Sequence, residues 1–560
     1  MRLKKLASLG LASVLTLSIA LTGCGSNDDK SDGNKGTGKE PAQSELAAEQ
    51  ILRVNWEQEP PDLDPQTSTD QVSGWILNNA YEGLVRVDKD GKIEKGSGLA
   101  EDWTVSEDGL TYIFKLRDAK WSDGTAITAQ DFDYAWKRAL DPKVASQYAE
   151  LFYYIKGGEA YSSGEGNLES VGIKAVDDKT LEVVLENPTP FFLNLTSFVT
   201  YMPAQKAMVE SSGDDFASTP EKMVFSGPFV ISEWVSKQKL NLKKNPEYWD
   251  AKNVKIEEIH GDMIVEANSA TNLYDSDEID VMRLSPTLLD KYKDTPDYLL
   301  SDDSVSWYMQ YNMENEYMKN KDIREAFSLS VDRKSFVDNV LRDGSIIAEG
   351  IVPQGIQGLE GKTFGETRGD VLKDHKFDAD KAKKSLEKGL KELGKTKEDL
   401  AKDVSFLTGD SDNAKKQAQA LQQMWKQNLG VDIKIEAVSF KLRLDRYNRK
   451  DFSMTMSGWG ADYDDPMTFI ALHVTGAGNN HAYYASSEYD ALVKKAQTAQ
   501  GDERIQAMVD AEKLLAKDLP IFPIYNATKQ YLQKEYVEGV ERHAAGADLS
   551  FKNAYILNHK

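Results

Sequence analysis

"LAEDWTVSEDGLTYIFKLRDAKWSDGTAITAQDFDYAWKRALDP", Leu99 to Pro142, changes its hydrophobic period midway. Tyr112, Phe114 and Leu116 alternate with other residues, the period of a strand with one buried face. Asp108-Gly109 just before them is a hairpin turn signal. From Ile127 onward the sequence reads as a helix: Thr128 is an N-cap residue, Asp131 stands at the third helical position, and Ile127 is placed to staple to Phe132. Pro142 ends it.

The same alternation continues on both sides. "LVRVDKDGKIEKG" places Val85 and Val87 before Asp88-Lys89-Asp90-Gly91 and Ile93 after it, which predicts another hairpin. "NAKKQAQALQQMWKQNLGVDIKIEAV" predicts a helix stopped by Gly430, then a strand with Val431, Ile433 and Ile435 on one face. "IREAFSLSVDRKSFVDNVL" and "DADKAKKSLEKGLKELG" read as further helices. Strands mixed with helices, without a fixed repeat, indicate α/β lobes and not a solenoid.

The amino terminus carries a different message. Arg2, Lys4 and Lys5 precede an uncharged apolar run from Leu6 to Leu21, the layout of a secretory signal and too short for a spanning helix. Leu21-Thr22-Gly23-Cys24 resembles the lipobox of bacterial lipoproteins. That resemblance implies cleavage before Cys24, the only cysteine, and a diacylglycerol on its thiol. Residues 1–23 are then the signal peptide. The polar, glycine-dotted run from Cys24 to residue 48 reads as a flexible tether, and order begins near Ile51. Removing the signal takes the formal charge from −23 to −26. Such a chain repels nucleic acid and anionic headgroups, so the acyl group must hold it at the membrane. With no second cysteine there is no disulfide framework, and a large core has to stabilise the body.

Signals for catalysis are poor. Neither Gly-x-Ser-x-Gly nor His-Glu-x-x-His occurs. "GLEGKTFG" suggests a phosphate loop, but Ile356 stands where its first glycine is required. The six histidines lack ligand spacing, His473 and His481 being the closest pair. Asp462, Asp464 and Asp465 offer oxygens to a hard cation, yet Pro466 breaks the run and the glycine of a calcium loop is missing. No metal or cofactor is expected.

The opening stretch resembles the extracellular solute-binding proteins of family 5, the oligopeptide-, dipeptide- and nickel-binding components of ABC importers. Further motifs run through the chain in order. They include "YEGL" at Tyr81, "NPTPFF" at Asn187, "NPEYW" at Asn245, "DIREAFSLSVDR" at Asp322, "SGWGADYDDP" at Ser457 and "PIFPIYN" at Pro520. "YAELFYYIKGGEAY" and "SGWGADYDDP" are most similar to oligopeptide-binding lipoproteins of Gram-positive type. The resemblance implies an α/β fold of the large type II periplasmic-binding-protein kind, with two lobes, an interlobe ligand cleft and an extra α/β subdomain. The first lobe is expected at 49–81 and 225–310, its extra subdomain at 82–224, the second lobe at 311–526, and the return to the first lobe at 527–560.

A receptor for many peptides reads what peptides share: main-chain amides and a charged amino terminus. An extended ligand is expected to add to a strand edge. Gly458, Trp459, Gly460 and Ala461 would supply that edge, with Trp459 as an apolar wall. Taken alone, Gly458 and Gly460 read as a strand end or bulge. Asp462 resembles the acid that holds the ligand ammonium; its other reading is an Asx turn before Pro466. Thr69, Asp70, Gln71 and Val72 would add main-chain bonds from the opposite wall. Tyr148 aligns with a ligand-facing tyrosine, or else belongs to the core. Where some enterobacterial relatives carry an arginine for the ligand carboxylate, this chain has Met456. Lys441, Arg446 and Arg449 are nearby in sequence, either as substitutes or as a solvated basic face.

The implied partners are an oligopeptide, an ABC permease with its ATPase subunits, and the membrane through the lipid on Cys24. The protein is expected as a monomer on the extracytoplasmic face of the bacterial cell membrane. The alternatives are a nickel chelate, a dipeptide or a signalling peptide on the same fold, and a surface peptidase.

Overall fold

The computed structural model describes residues 45–559, apart from Asp90, Glu360, Ala544, Ala547 and Asp548. The signal segment, Cys24 and most of the tether lie outside the described residues.

β1 (Ile51–Asn55) opens the ordered chain, followed by helix α1 (Gln71–Ala80). β2 (Ala100–Val105), β3 (Thr111–Leu116), β4 (Ile173–Asp177) and β5 (Thr180–Val184) form a separate four-stranded sheet, ordered β2-β3-β5-β4. Tyr112, Phe114 and Leu116 are all buried, as their alternation requires. Helix α2 (Ala129–Leu140) lies against β4 and β5. Asp131 accepts the Thr128 backbone N–H at 2.8 Å, the reciprocal half of a capping box.

Ten strands build the main sheet, to which a short eleventh is attached. β6 (Phe229–Val235), β7 (Lys239–Lys244), β8 (Glu258–Asp262) and β9 (Val281–Arg283) belong to one flank with β1. β10 (Tyr298–Tyr311) is long; β11 (Ile346–Ile347) is brief. β12 (Ser405–Gly409), β13 (Lys434–Val438) and β14 (Met454–Gly460) make the other flank, and β15 (Ile521–Gln533) closes the set. The order is β13-β12-β14-β10-β15-β9-β1-β8-β7-β6, with β11 on β15. β10 and β15 run antiparallel through the middle. β14 pairs with β10 at Val305–Tyr311, whereas β9 pairs with β15 at Tyr531–Gln533, so the flanks attach at opposite ends of this pair. The result is the two-lobed α/β architecture with an additional α/β unit.

Two local expectations change. The hairpin at Val85–Ile93 shrinks to a single bridge, Val87 to Ile93. The carbonyls of Gly83 and Leu84 instead accept the N–H groups of Leu99 and Ala100. The strand after Gly430 starts at Lys434, not Val431. Its parallel ladder with β12 begins at Ser405–Lys434, so Val431 and Ile433 are buried ahead of any strand partner. The preceding helix, α3 (Asp412–Leu429), does end at Gly430, whose φ is +73°.

Candidate functional site

The run "SGWGADYDDP" covers the end of β14 and the turn after it. Ala461 donates its N–H to the Ser304 carbonyl at 2.9 Å. Antiparallel partners alternate between bonded and non-bonded pairs. Ser457 and Trp459 therefore turn their backbone groups toward β10, while Gly458 and Gly460 turn theirs toward the other edge. β12 covers that edge only at Met454 and Thr455. Beyond Met456, β14 has no strand on that side among the described residues.

The glycines answer to the neighbouring strand. A β-carbon on Gly458 would stand 2.7 Å from the Trp307 ring, and one on Gly460 would stand 3.2 Å from Val305 Cγ2. Gly458→Ala is expected to push Trp307 off β14 and lower stability by about 1–3 kcal/mol. Urea unfolding checks this; a variant as stable as the parent would refute the packing role.

Asp462 follows the free edge. Its Oδ1 accepts the Tyr148 hydroxyl at 2.9 Å, and its Oδ2 accepts the Thr468 hydroxyl at 3.2 Å. Thr468 Oγ1 also accepts the Asp462 backbone N–H at 3.0 Å. Tyr148 is buried, edge-on to Phe198 at 5.3 Å and to Trp459 at 6.0 Å. Burial pushes the Asp462 carboxyl up to about 7, against the opposing pull of these hydroxyls. Glu150, two residues after Tyr148, is pushed up to about 8 by burial, with the Asp462 charge adding to the rise. The Asn479 side chain and the Gly478 backbone hold the Glu150 carboxylate. Of the two acids, Asp462 is the one that ionises first as pH rises.

The three clustered aspartates diverge. Asp465 is paired with Arg504 through two bonds, at 2.9 and 2.7 Å, in a buried ion pair. Asp464 accepts the Gln357 backbone N–H at 3.1 Å. Asp462 alone faces Tyr148. Beside them Tyr463 stacks on Phe191, centroids 4.7 Å apart, and so joins the turn to the subdomain segment.

On the opposite wall the residues start a helix. Asp70 is the N-cap of α1 and accepts the Ser73 N–H at 2.9 Å; its carboxyl is pushed up to about 6 by burial. Gln71 and Val72 form the first turn, and the Val72 N–H also serves Asp70. Thr69 Oγ1 donates to Gln147 Oε1 at 3.4 Å, which ties this loop to the Tyr148 segment. The wall is thus a capped helix end and not an extended edge. Arg446 bonds Glu436 at 2.8 Å and Asp451 at 3.1 Å and is largely covered, while Lys441 and Arg449 are exposed to solvent.

Glu150 and Thr468 were not expected from sequence. Thr468 lies beyond Pro466, and only the helical turn after that proline brings it back onto Asp462. Glu150 sits in "YAELF", where nothing local separates it from a surface acid.

With this geometry in view, comparison with known proteins is specific. The profile of the bacterial extracellular solute-binding proteins, family 5 Middle, matches residues 96–481. A dipeptide-binding protein of Bacillus subtilis, DppE, is 36% identical over 97% of this chain and 98% of its own length. The structure of Listeria monocytogenes OppA bound to peptide superposes with a TM-score of 0.86 at 34% identity, covering 91% of this chain and 99% of that one. An unliganded open form of MppA, a murein tripeptide-binding protein, reaches only 0.59 at 28% identity, with 93% and 99% covered. The lobes are therefore arranged more like the peptide-bound relative than like the open one.

Proposed function

This chain belongs to the bacterial extracellular solute-binding proteins of family 5, and from that premise we propose that it captures extended oligopeptides for an ABC importer. The observation that carries the reading is the unpaired edge of β14 at Gly458 and Gly460, ending at the Asp462 carboxyl. An extended chain adds to that edge through its amides, and its ammonium enters the cage of Asp462, Tyr148 and Thr468. Trp459 and Tyr148 wall the first residues. Glu150 stays mostly protonated at neutral pH, so Asp462 is the acid that meets the ammonium. DppE is named for dipeptides, which favours short ligands as a second reading.

β10 and β15 cross between the lobes, and their ladder is interrupted between Asp302 and Ser306. That break is the proposed hinge, which places the lobe boundary near 302–306 and 526–528. Phe191 on Tyr463 and Gln147 Nε2 on Asn448 Oδ1, at 2.8 Å, are contacts that closure makes and opening breaks. The proposed anchor is a diacylglycerol on Cys24, with delivery to a permease and its ATPase subunits. Partition of the full chain into a detergent phase, lost on Cys24→Ala, tests the anchor.

Calorimetric titration with di- to octapeptides, after removal of co-purified ligand, tests the function. Heat confined to peptides with a free amino end is expected. Binding of none, or of metal chelates instead, would remove the reading. The pH dependence follows from the Asp462 carboxyl. Below about pH 7 it takes up a proton that an incoming ammonium must displace, so affinity falls by up to about tenfold per pH unit there; it is greatest between about pH 7 and 8, above which the peptide's own amino group loses its proton. N-acetylated peptides should show no such slope.

A further inference from the structure

Resting on the peptide-binding reading above, we infer that the additional four-stranded unit is a latch. It fastens onto the body that carries β12 to β15 at two places outside the ligand edge, holds the protein partly closed before a peptide arrives, and so raises affinity for every peptide alike.

Each fastening residue is anchored on its own side. Gln147 to Phe152 lie between α2 and β4, where Phe152 stacks on Tyr201 at 4.2 Å and lies 6.1 Å from Trp136 of α2. Phe191 follows β5, and its neighbour Phe192 meets Tyr112 of β3 at 4.9 Å. The loop from Gly478 to Tyr483 belongs to the other body. Ala482 accepts the Met313 N–H at 2.9 Å, just past β10, and Tyr483 donates its hydroxyl to the Tyr447 carbonyl at 2.6 Å.

The first fastening is aromatic. Phe191 is buried, parallel to Tyr463 at 4.7 Å and with the Arg504 guanidinium 5.4 Å from its centroid. Arg504 projects from helix α4 (Gly501–Asp518), where the ion pair with Asp465 fixes it. Gln500, just before that helix, donates to the Pro188 carbonyl at 3.1 Å. Ring stacking with a cation beside it is a specific contact that separation of the two bodies gives up.

The second fastening is a close backbone approach. A β-carbon on Gly478 would stand 2.5 Å from the Gln147 carbonyl oxygen and 2.6 Å from its Cα. Gly478 is not in the left-handed region, so the missing side chain serves this approach and not a turn. Asn479 Nδ2 donates to the same Gln147 carbonyl at 3.3 Å, beside the bond from Gln147 to Asn448.

Neither fastening uses the edge of β14 at Gly458 and Gly460. Their contribution therefore enters binding through the fraction of protein already closed, which multiplies the intrinsic affinity by one factor for any peptide. That separates the latch from Asp462, which discriminates between free and blocked amino ends.

Two variants test it. Phe191→Ala removes the aromatic fastening. Gly478→Ala leaves an open form unstrained and obstructs only the closed one. Calorimetry with Ala-Phe-Ala-Phe-Ala and with Ala-Lys-Ala-Lys-Ala should show the dissociation constant raised about 10- to 100-fold in each variant, by the same factor for both peptides and mainly through faster release. Small-angle X-ray scattering without peptide should give both variants a larger radius of gyration than the wild type, and saturating peptide should bring the three together. Phe191→Tyr, which keeps the ring, should bind as the wild type does. Urea unfolding of peptide-free Gly478→Ala should be little changed. Wild-type affinity in both variants, losses that differ severalfold between the two peptides, or equal radii without peptide would overturn the latch while leaving peptide binding intact. If the wild type binds neither peptide, the peptide reading falls. The scattering still decides the latch: larger radii in the variants uphold it, and equal radii overturn it too.

Discussion

Asp462→Ala is expected to weaken binding of free-amine peptides by two to three orders of magnitude, and to leave N-acetylated peptides nearly unchanged. Tyr148 and Thr468 both donate to this carboxylate, so the site already holds two donors and awaits a third. With the carboxylate gone, the ligand ammonium enters a half-buried cage with only hydroxyls and the mostly protonated Glu150 to meet it. Stranding one member of a buried charge pair costs about 3–5 kcal/mol. Parallel titrations of a peptide and its N-acetyl derivative measure the difference directly. Similar losses for both ligands would mean that Asp462 shapes the turn and does not hold the amine. Asp462→Asn separates the cases further: it keeps the bond from Tyr148, but should still lose most free-amine affinity.

The second large effect concerns stability, far from the ligand edge. Asp280 is fully buried, and its carboxylate gathers three segments of chain. Arg53 on β1 gives it the backbone N–H at 2.8 Å, Nε at 2.9 Å and Nη2 at 2.5 Å. Tyr536, beyond β15, adds its hydroxyl at 2.8 Å. Asp280→Ala removes the acceptor that the Arg53 backbone N–H, the Arg53 guanidinium and the Tyr536 hydroxyl share; the guanidinium keeps the Asp277 carbonyl and is partly exposed, so unfolding free energy should fall by about 2–4 kcal/mol. Denaturant unfolding of the full chain reports it. Tyr536→Phe, which removes a single bond, should cost only about 1 kcal/mol. A loss under 1 kcal/mol for Asp280→Ala would show that this network does not bind the returning tail to β1.

The sequence could carry what depends on neighbours along the chain. β3 with its buried face of Tyr112, Phe114 and Leu116, the Thr128–Asp131 cap of α2, and the Gly430 stop of α3 are each encoded within a few residues, because period and capping are local properties. The ordered motifs also pointed to the family, and "SGWGADYDDP" to the stretch carrying the acid. Tertiary structure decided which atoms meet. Gly458 reads as a site for ligand approach until Trp307, on another strand, is seen lying against it. Three neighbouring aspartates look like one cluster until Arg504, Gln357 and Tyr148 draw them to separate partners. The hairpin at Val85 fades because Gly83 and Leu84 bond Leu99 and Ala100 instead. Glu150 and Thr468 had no local mark at all. Their place follows from strand register and helix packing, which bring together residues hundreds of positions apart, and no short stretch of sequence encodes such convergence.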